Sequence, residues 1–286
     1  MKFWIPLTVL CLSAASVAAQ SIDQSRVEAL VAAQTVLQET IAQRCQQGTP
    51  PDLNAFRNAA TQWMTVQALQ LPASEFLQTD HRFVFWPDPK DRLKRQVQTA
   101  LTTPPDATDW SALPSSVTSL SAIELILTDA TPLSHCPWLN AIADYQVKQT
   151  DELAKLQQFY TFGTAEQLTA LHGTALTLHA ILKEIISRED RTLWVLAPAW
   201  RSETGPDIAN ALIQQSLELM QLFSEQNPEL QLKIEEWQSR PRLSIDTPRA
   251  EIAQWNQAAE ALAGYVEDTL APSLNIFIGF NNFDGD

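Results

Sequence analysis

Glycine is scarce in this chain of 286 residues, with only 7. None of them forms a G-x-G-x-x-G or G-x-x-x-x-G-K pattern, so the backbone loops that cradle nucleotide phosphates are missing. Positive charge is also short: 19 Lys and Arg face 33 Asp and Glu, a formal net charge of −14. A surface of that sign repels phosphate backbones and anionic headgroups, which excludes nucleic acid and acidic lipid as partners. Charged residues make up only 18% of the chain while 45% are hydrophobic, a balance that folds around a core and does not stay disordered. No stretch after the N-terminus reaches the roughly 18 unbroken apolar residues of a membrane span. H-E-x-x-H and G-x-S-x-G are absent as well, so neither the helical zinc-protease signature nor a serine nucleophile elbow is available.

Cysteine is sparse too, and where the 3 residues fall is informative. Cys11 lies in an N-terminal segment built as a basic start (Met1-Lys2), an apolar run (Phe3 to Leu12) and a small-residue stretch (Ser13 to Ala19). That layout predicts a cleavable signal peptide over residues 1–19, cut after Ala19 or Ala18, and hence a periplasmic, exported protein. Cys45 and Cys136 then remain. In an oxidising compartment such a pair forms a disulfide, the alternative being two buried thiols.

What is abundant is helical periodicity. Val27, Leu30, Val31, Leu37, Ile41 and Cys45 fall on one face of a helix, and so do Phe56, Ala60, Trp63, Met64 and Ala68 after the breaker Gly48 to Asp52. Pro72 bends or ends that second helix. Lys90 to Leu101 is a short helix, and Ser115 or Ser116 caps a helix reaching about Thr128. Further helices run from Pro137 to Tyr160, from Ala165 to Arg188, from Gly205, and from Thr247-Pro248, where a cap precedes proline at the first helical position. The fold predicted is all-α: two helical bundles, residues 20–160 and 161–286, with short nonhelical connectors.

Histidines 172 and 179 lie seven apart on one helix face, about 10.5 Å along the axis. They read as core-edge residues and not as a shared metal grip. Glu124 stands out more, because it interrupts the apolar face of Val117, Leu120, Ile123 and Leu127. A carboxylate so placed needs a partner, and Arg82 and Arg201 are the candidates, since guanidinium binds carboxylate through two parallel hydrogen bonds. Two readings stand: a structural ion pair locking the bundles together, or a ligand cleft. Trp86 and Trp200 either pack or line that cleft. Asp88 is a helix cap, a turn residue or a ligand contact.

Several segments, in order, resemble the imelysin family: Arg82-Phe83-Val84-Phe85-Trp86-Pro87-Asp88, Ser116-Val117 through Glu124, His135-Cys136 with Leu139 and Ile142, Trp200-Arg201-Ser202, and the closing Gly279-Phe280-Asn281-Asn282-Phe283-Asp284-Gly285-Asp286. The resemblance implies an exported helical protein with a ligand site between two bundles and a link to iron uptake or handling. Its partners would be a metal ion or small ligand and other periplasmic iron-uptake components. It also implies where that site lies: Glu124, Ser121, Arg82, Trp86, Asp88, Arg201 and Ser202. The family's G-x-H-x-x-E helix reads here Ser119-Leu120-Ser121-Ala122-Ile123-Glu124, so serine replaces the histidine and only Glu124 is left as a metal ligand for iron or another divalent cation. Loss of the nitrogen donor weakens that expectation. No catalytic residue is identified. The family's name alone suggests a metallopeptidase, and a structural or partner-binding periplasmic scaffold is the third reading.

Overall fold

The computed structural model describes residues 8–278 except 51, 80–81, 89, 188–192 and 226, with side chains from Ile22 onward apart from Ser111. Among the described residues every regular element is helical and no strand occurs. Residues 1–7 of the expected signal peptide lie outside the described residues, and the backbone from Thr8 on belongs to the first helix. No helix among the described residues is long and apolar enough to cross a membrane.

Helix α1 (Thr8–Gln47) buries Val27, Leu30, Leu37 and Ile41 along one face, the stripe that its spacing dictates. It stops where Gly48 takes a left-handed conformation, φ 64°. Asp52 then caps α2 (Leu53–Ala68), its carboxylate accepting the Asn54 N–H at 2.8 Å. Pro72 does not bend or end this helix. The chain leaves α2 through a left-handed Gln70, φ 51°, and Pro72 opens α3 (Pro72–Leu77) as its first residue, the position where a missing N–H costs nothing. After α4 (Arg92–Ala100) and two 3₁₀ turns comes α5 (Leu120–Leu127). Its cap is Ser119, whose Oγ accepts the Ala122 N–H at 3.2 Å. The upstream serines expected in that role lie in the preceding turn instead.

Helix α6 (Cys136–Gln157) runs along α1, and a Cys45–Cys136 disulfide with Cα atoms 5.7 Å apart joins the end of one to the start of the other. In the second half α7 (Thr164–Ile186) packs on α8 (Gly205–Ser224) and α10 (Arg249–Tyr265). Between the last two lies α9 (Pro228–Ser239). Asn227 caps it by accepting the Leu230 N–H at 3.0 Å, ahead of proline at the first position and Glu229 in the first turn. At α10 the cap residue is Pro248, because the Thr247 hydroxyl turns back to accept the Ser244 N–H at 2.7 Å.

α2 also packs on α7 and α8, so buried side chains of both halves form one continuous apolar cluster. A polar knot crosses it. Gln215 Nε2 donates to the Thr65 carbonyl and to Thr174 Oγ1, each at 3.0 Å, tying α8 to α2 and α7. The helices approach closely there: a Cβ at Gly173 would lie 2.8 Å from the Ala68 carbonyl oxygen. Close packing recurs at Gly205, where a Cβ would stand 2.7 Å from the Ala197 Cβ and 2.8 Å from the Trp194 ring. Gly205→Ala is therefore expected to destabilise the protein by about 1–3 kcal/mol, the usual range for overpacking. A lower urea midpoint at unchanged m-value would be the sign.

Candidate functional site

Residues 83–88 form an extended connector held against the start of α5. Phe83 is buried and stacks on Trp63, ring centroids 3.9 Å apart. The Phe83 carbonyl accepts the Ser121 N–H at 3.4 Å, and Ser121 Oγ accepts the Phe85 N–H at 2.9 Å. The connector reaches the second half through Trp86, whose indole N–H donates to the Leu196 carbonyl at 2.8 Å. Asp88 caps α4: its two oxygens accept the Arg92 and Leu93 N–H groups at 2.9 and 3.0 Å, a favourable place for a carboxylate at a helix N-terminus.

Glu124, on α5, is only 2% exposed. Its partner is a serine. The Ser202 N–H and hydroxyl both donate to Oε1, at 2.9 and 2.7 Å, and the Arg201 backbone N–H also favours the carboxylate. Ser202 itself is gripped from several sides: its carbonyl accepts Arg57 Nε–H at 2.7 Å, and Thr204 Oγ1 lies 2.7 Å from its hydroxyl. The 3₁₀ turn Trp200–Ser202 that carries it is bracketed by left-handed residues, Ala199 at φ 51° and Glu203 at φ 60°. Each such residue costs about 1–2 kcal/mol relative to ordinary backbone, so this turn is held by its surroundings. Burial pushes the Glu124 carboxyl above its ordinary range, and the Ser202 hydrogen bonds and the nearby Arg201 charge only partly oppose that.

The expected arginine clamp is thus corrected. Arg201 acts on Glu124 through its charge and its backbone N–H, while its guanidinium lies over the Trp200 ring at 4.6 Å and 3.7 Å from Asp91. Arg82 donates to Gln149 Oε1 at 2.8 Å and does not line the space around Glu124. The physical reason is access: a backbone N–H and a short hydroxyl reach a carboxylate inside tight packing, where a guanidinium would have to lose its water.

In front of Glu124 opens a cleft of about 800 Å³, walled by residues 85–88 and 91–94, α5, Glu184 and residues 195–201. Ser121, Trp86, Asp88, Glu124 and Arg201 line it, and Ser202 sits behind Glu124. Five carboxylates (Asp88, Asp91, Glu124, Asp129 and Glu184) face Lys94 and Arg201, so its field favours cations and hydrogen-bond donors. Phe85, Trp86 and the 41% exposed Trp200 supply aromatic surface. His172 and His179 are elsewhere. His172 lies 3.7 Å from Glu267 with its pKa lowered by burial, and His179 Nδ1 is 3.5 Å from the Asn256 carbonyl.

The described residues do not fit a resident metal ion. Among them no group of three or more His, Cys, Asp and Glu is positioned to hold one. Ser121 stands in place of a nitrogen ligand with its hydroxyl already accepting from Phe85. The closing segment with Asp284 and Asp286 lies outside the described residues.

The family model described as Imelysin matches residues 24–192, a span that holds the connector, α5 and Glu124. The chain belongs to the imelysin family. Two solved structures share the fold of this imelysin. An imelysin-like protein from Psychrobacter arcticum has a TM-score of 0.75 at 12% identity, covering 98% of this chain and 100% of its own. A protein named as an iron-regulated protein A precursor, from Parabacteroides distasonis, has a TM-score of 0.64 at 13% identity, covering 92% and 95%. No curated protein matches the sequence. Sequence reasoning missed Arg57, Asp91 and Thr204. Asp91 had a signal in its neighbourhood, next to the aromatic connector, whereas Arg57 lies on an ordinary amphipathic helix with no motif around it.

Proposed function

We propose that this imelysin is an exported, noncatalytic binding protein that holds a small polar ligand in the Glu124 cleft, and that the ligand belongs to iron acquisition. The observation that carries the reading is a carboxylate at the inner wall of a wide acidic cleft, fixed from the other half of the chain by Ser202. A purely structural carboxylate would be closed off from any cleft, whereas Glu124 lines this one. The iron link is supported by the name of the Parabacteroides relative. With no three-ligand cluster among the described residues, the reading favours iron already enclosed in a chelate, whose outer face offers positive charge or hydrogen-bond donors to the acidic wall and apolar surface to Trp86 and Trp200.

Titration calorimetry of the secreted chain with a positively charged ferric trihydroxamate, and separately with ferrous, ferric and zinc ions, tests this. Saturable binding of the chelate, weakened about tenfold or more in Glu124→Gln by loss of one charge-assisted contact, is the expected result. Saturable heat from the bare ions alone would replace the chelate by a metal ion as ligand. Silence from every probe would remove the iron reading.

A further inference from the structure

A second cleft, of about 550 Å³, lies where α1, α2 and α8 meet the turn between α9 and α10. Its lining is richer in cations than that of the first. Among the described residues Arg26, Arg240 and Arg242 line it together with the carboxylate Asp207, in a chain whose net charge is −14.

The wall bearing two of these arginines is firmly built. The Pro241 carbonyl accepts the indole N–H of buried Trp255 at 3.1 Å. Asn210 binds Leu243 twice, donating to its carbonyl at 2.7 Å and accepting its N–H at 3.0 Å. These anchors hold residues 240–243 against α8 and α10, with Arg240 itself in an extended conformation. Arg240 and Arg242 both line the cleft.

Their hydrogen-bonding capacity is only partly used. Arg240 lies over the Trp255 ring at 5.5 Å and its Nη2 contacts Glu236 at 2.6 Å, yet its buried Nε has no partner. Arg242 is exposed and takes part in no ion pair among the described residues. Arg26 is paired with Glu218. The floor is the edge-to-face pair Trp237 and Trp255, centroids 5.3 Å apart, with the amides of Gln62, Gln214 and Gln238 around it. Guanidinium forks match the oxygens of carboxylate and phosphate.

We propose that this second cleft binds a small organic anion, its carboxylate or phosphate group taken by Arg240 and Arg242. The site is independent of the Glu124 cleft and takes ligands of the opposite charge.

Calorimetry at low ionic strength with citrate and with inorganic phosphate distinguishes the two oxyanion sources. Binding of either one at a single site, weakening as salt is raised, is expected. Arg242→Ala removes a side chain outside any ion pair and should leave the melting temperature unchanged while weakening binding about tenfold, the loss of one charge-assisted contact. Absence of saturable binding for both probes would overturn the proposal. So would binding that Arg242→Ala leaves intact, because the anion would then be held elsewhere.

Discussion

Replacing both Cys45 and Cys136 by serine is expected to lower unfolding stability by about 4 kcal/mol, within the 2–5 kcal/mol range for native disulfides. The bridge closes 91 residues of chain, and those residues include α2, the aromatic connector and α5. Losing it returns to the unfolded chain the freedom of a long loop, which is where most of the effect arises in the chain-entropy account. The native fold should persist, because α1 and α6 remain packed along their apolar faces. Urea denaturation of the double serine variant, compared with the oxidised protein, measures the difference. Reduced wild-type protein should behave like the variant. A difference below about 1 kcal/mol would mean that the loop is already constrained in the unfolded state.

The same helices show why so much of the fold was legible. Seams such as Val27, Leu30, Leu37 and Ile41, or Phe56, Ala60 and Trp63, fix helix type and inward face by spacing alone. Cysteine arithmetic in an exported chain yielded the disulfide. Helix ends were read less well because they depend on local choices between nearly equal partners. Ser119 outcompetes Ser115 and Ser116 as a cap, and Thr247 bonds backward to Ser244 and leaves Pro248 at the start of α10. Helix α9 was passed over, although Asn227-Pro228-Glu229 carries a cap, a first-turn proline and an acidic residue. At the candidate site, burial of Glu124 follows from its neighbours on α5. The identity of its partner does not. It depends on how the Trp200–Ser202 turn folds, with left-handed Ala199 and Glu203 on either side and Gly205 wedged against Trp194, and no spacing rule encodes that.

Glu124→Gln is expected to stabilise the protein at neutral pH and to leave it nearly unchanged near pH 4. The carboxyl titrates near 4.5 in the unfolded chain and higher when folded, mainly because burial penalises its charge. Between those values the folded state binds more protons than the unfolded one, so stability falls as pH rises, by up to about 1.4 kcal/mol per pH unit for one proton. Glutamine keeps the size and an acceptor for Ser202 but carries no charge, and the penalty disappears. Two other groups titrate in the same region. Buried Asp23, also raised, adds a slope of the same sign. His172, lowered by burial, adds the opposite sign, with stability lost as pH falls below its ordinary value of 6.5. Subtracting the parent curve from the variant curve cancels both, so urea midpoints at matched pH isolate Glu124. Their difference should grow in favour of glutamine from about pH 4.5 upward and level off above the folded pKa of Glu124. A difference independent of pH from 4 to 8 would mean that this carboxyl titrates normally and is well solvated. The same proton links stability to the proposed function: a cationic ligand needs the ionised carboxylate, so its affinity should rise with pH across the window in which the free protein loses stability.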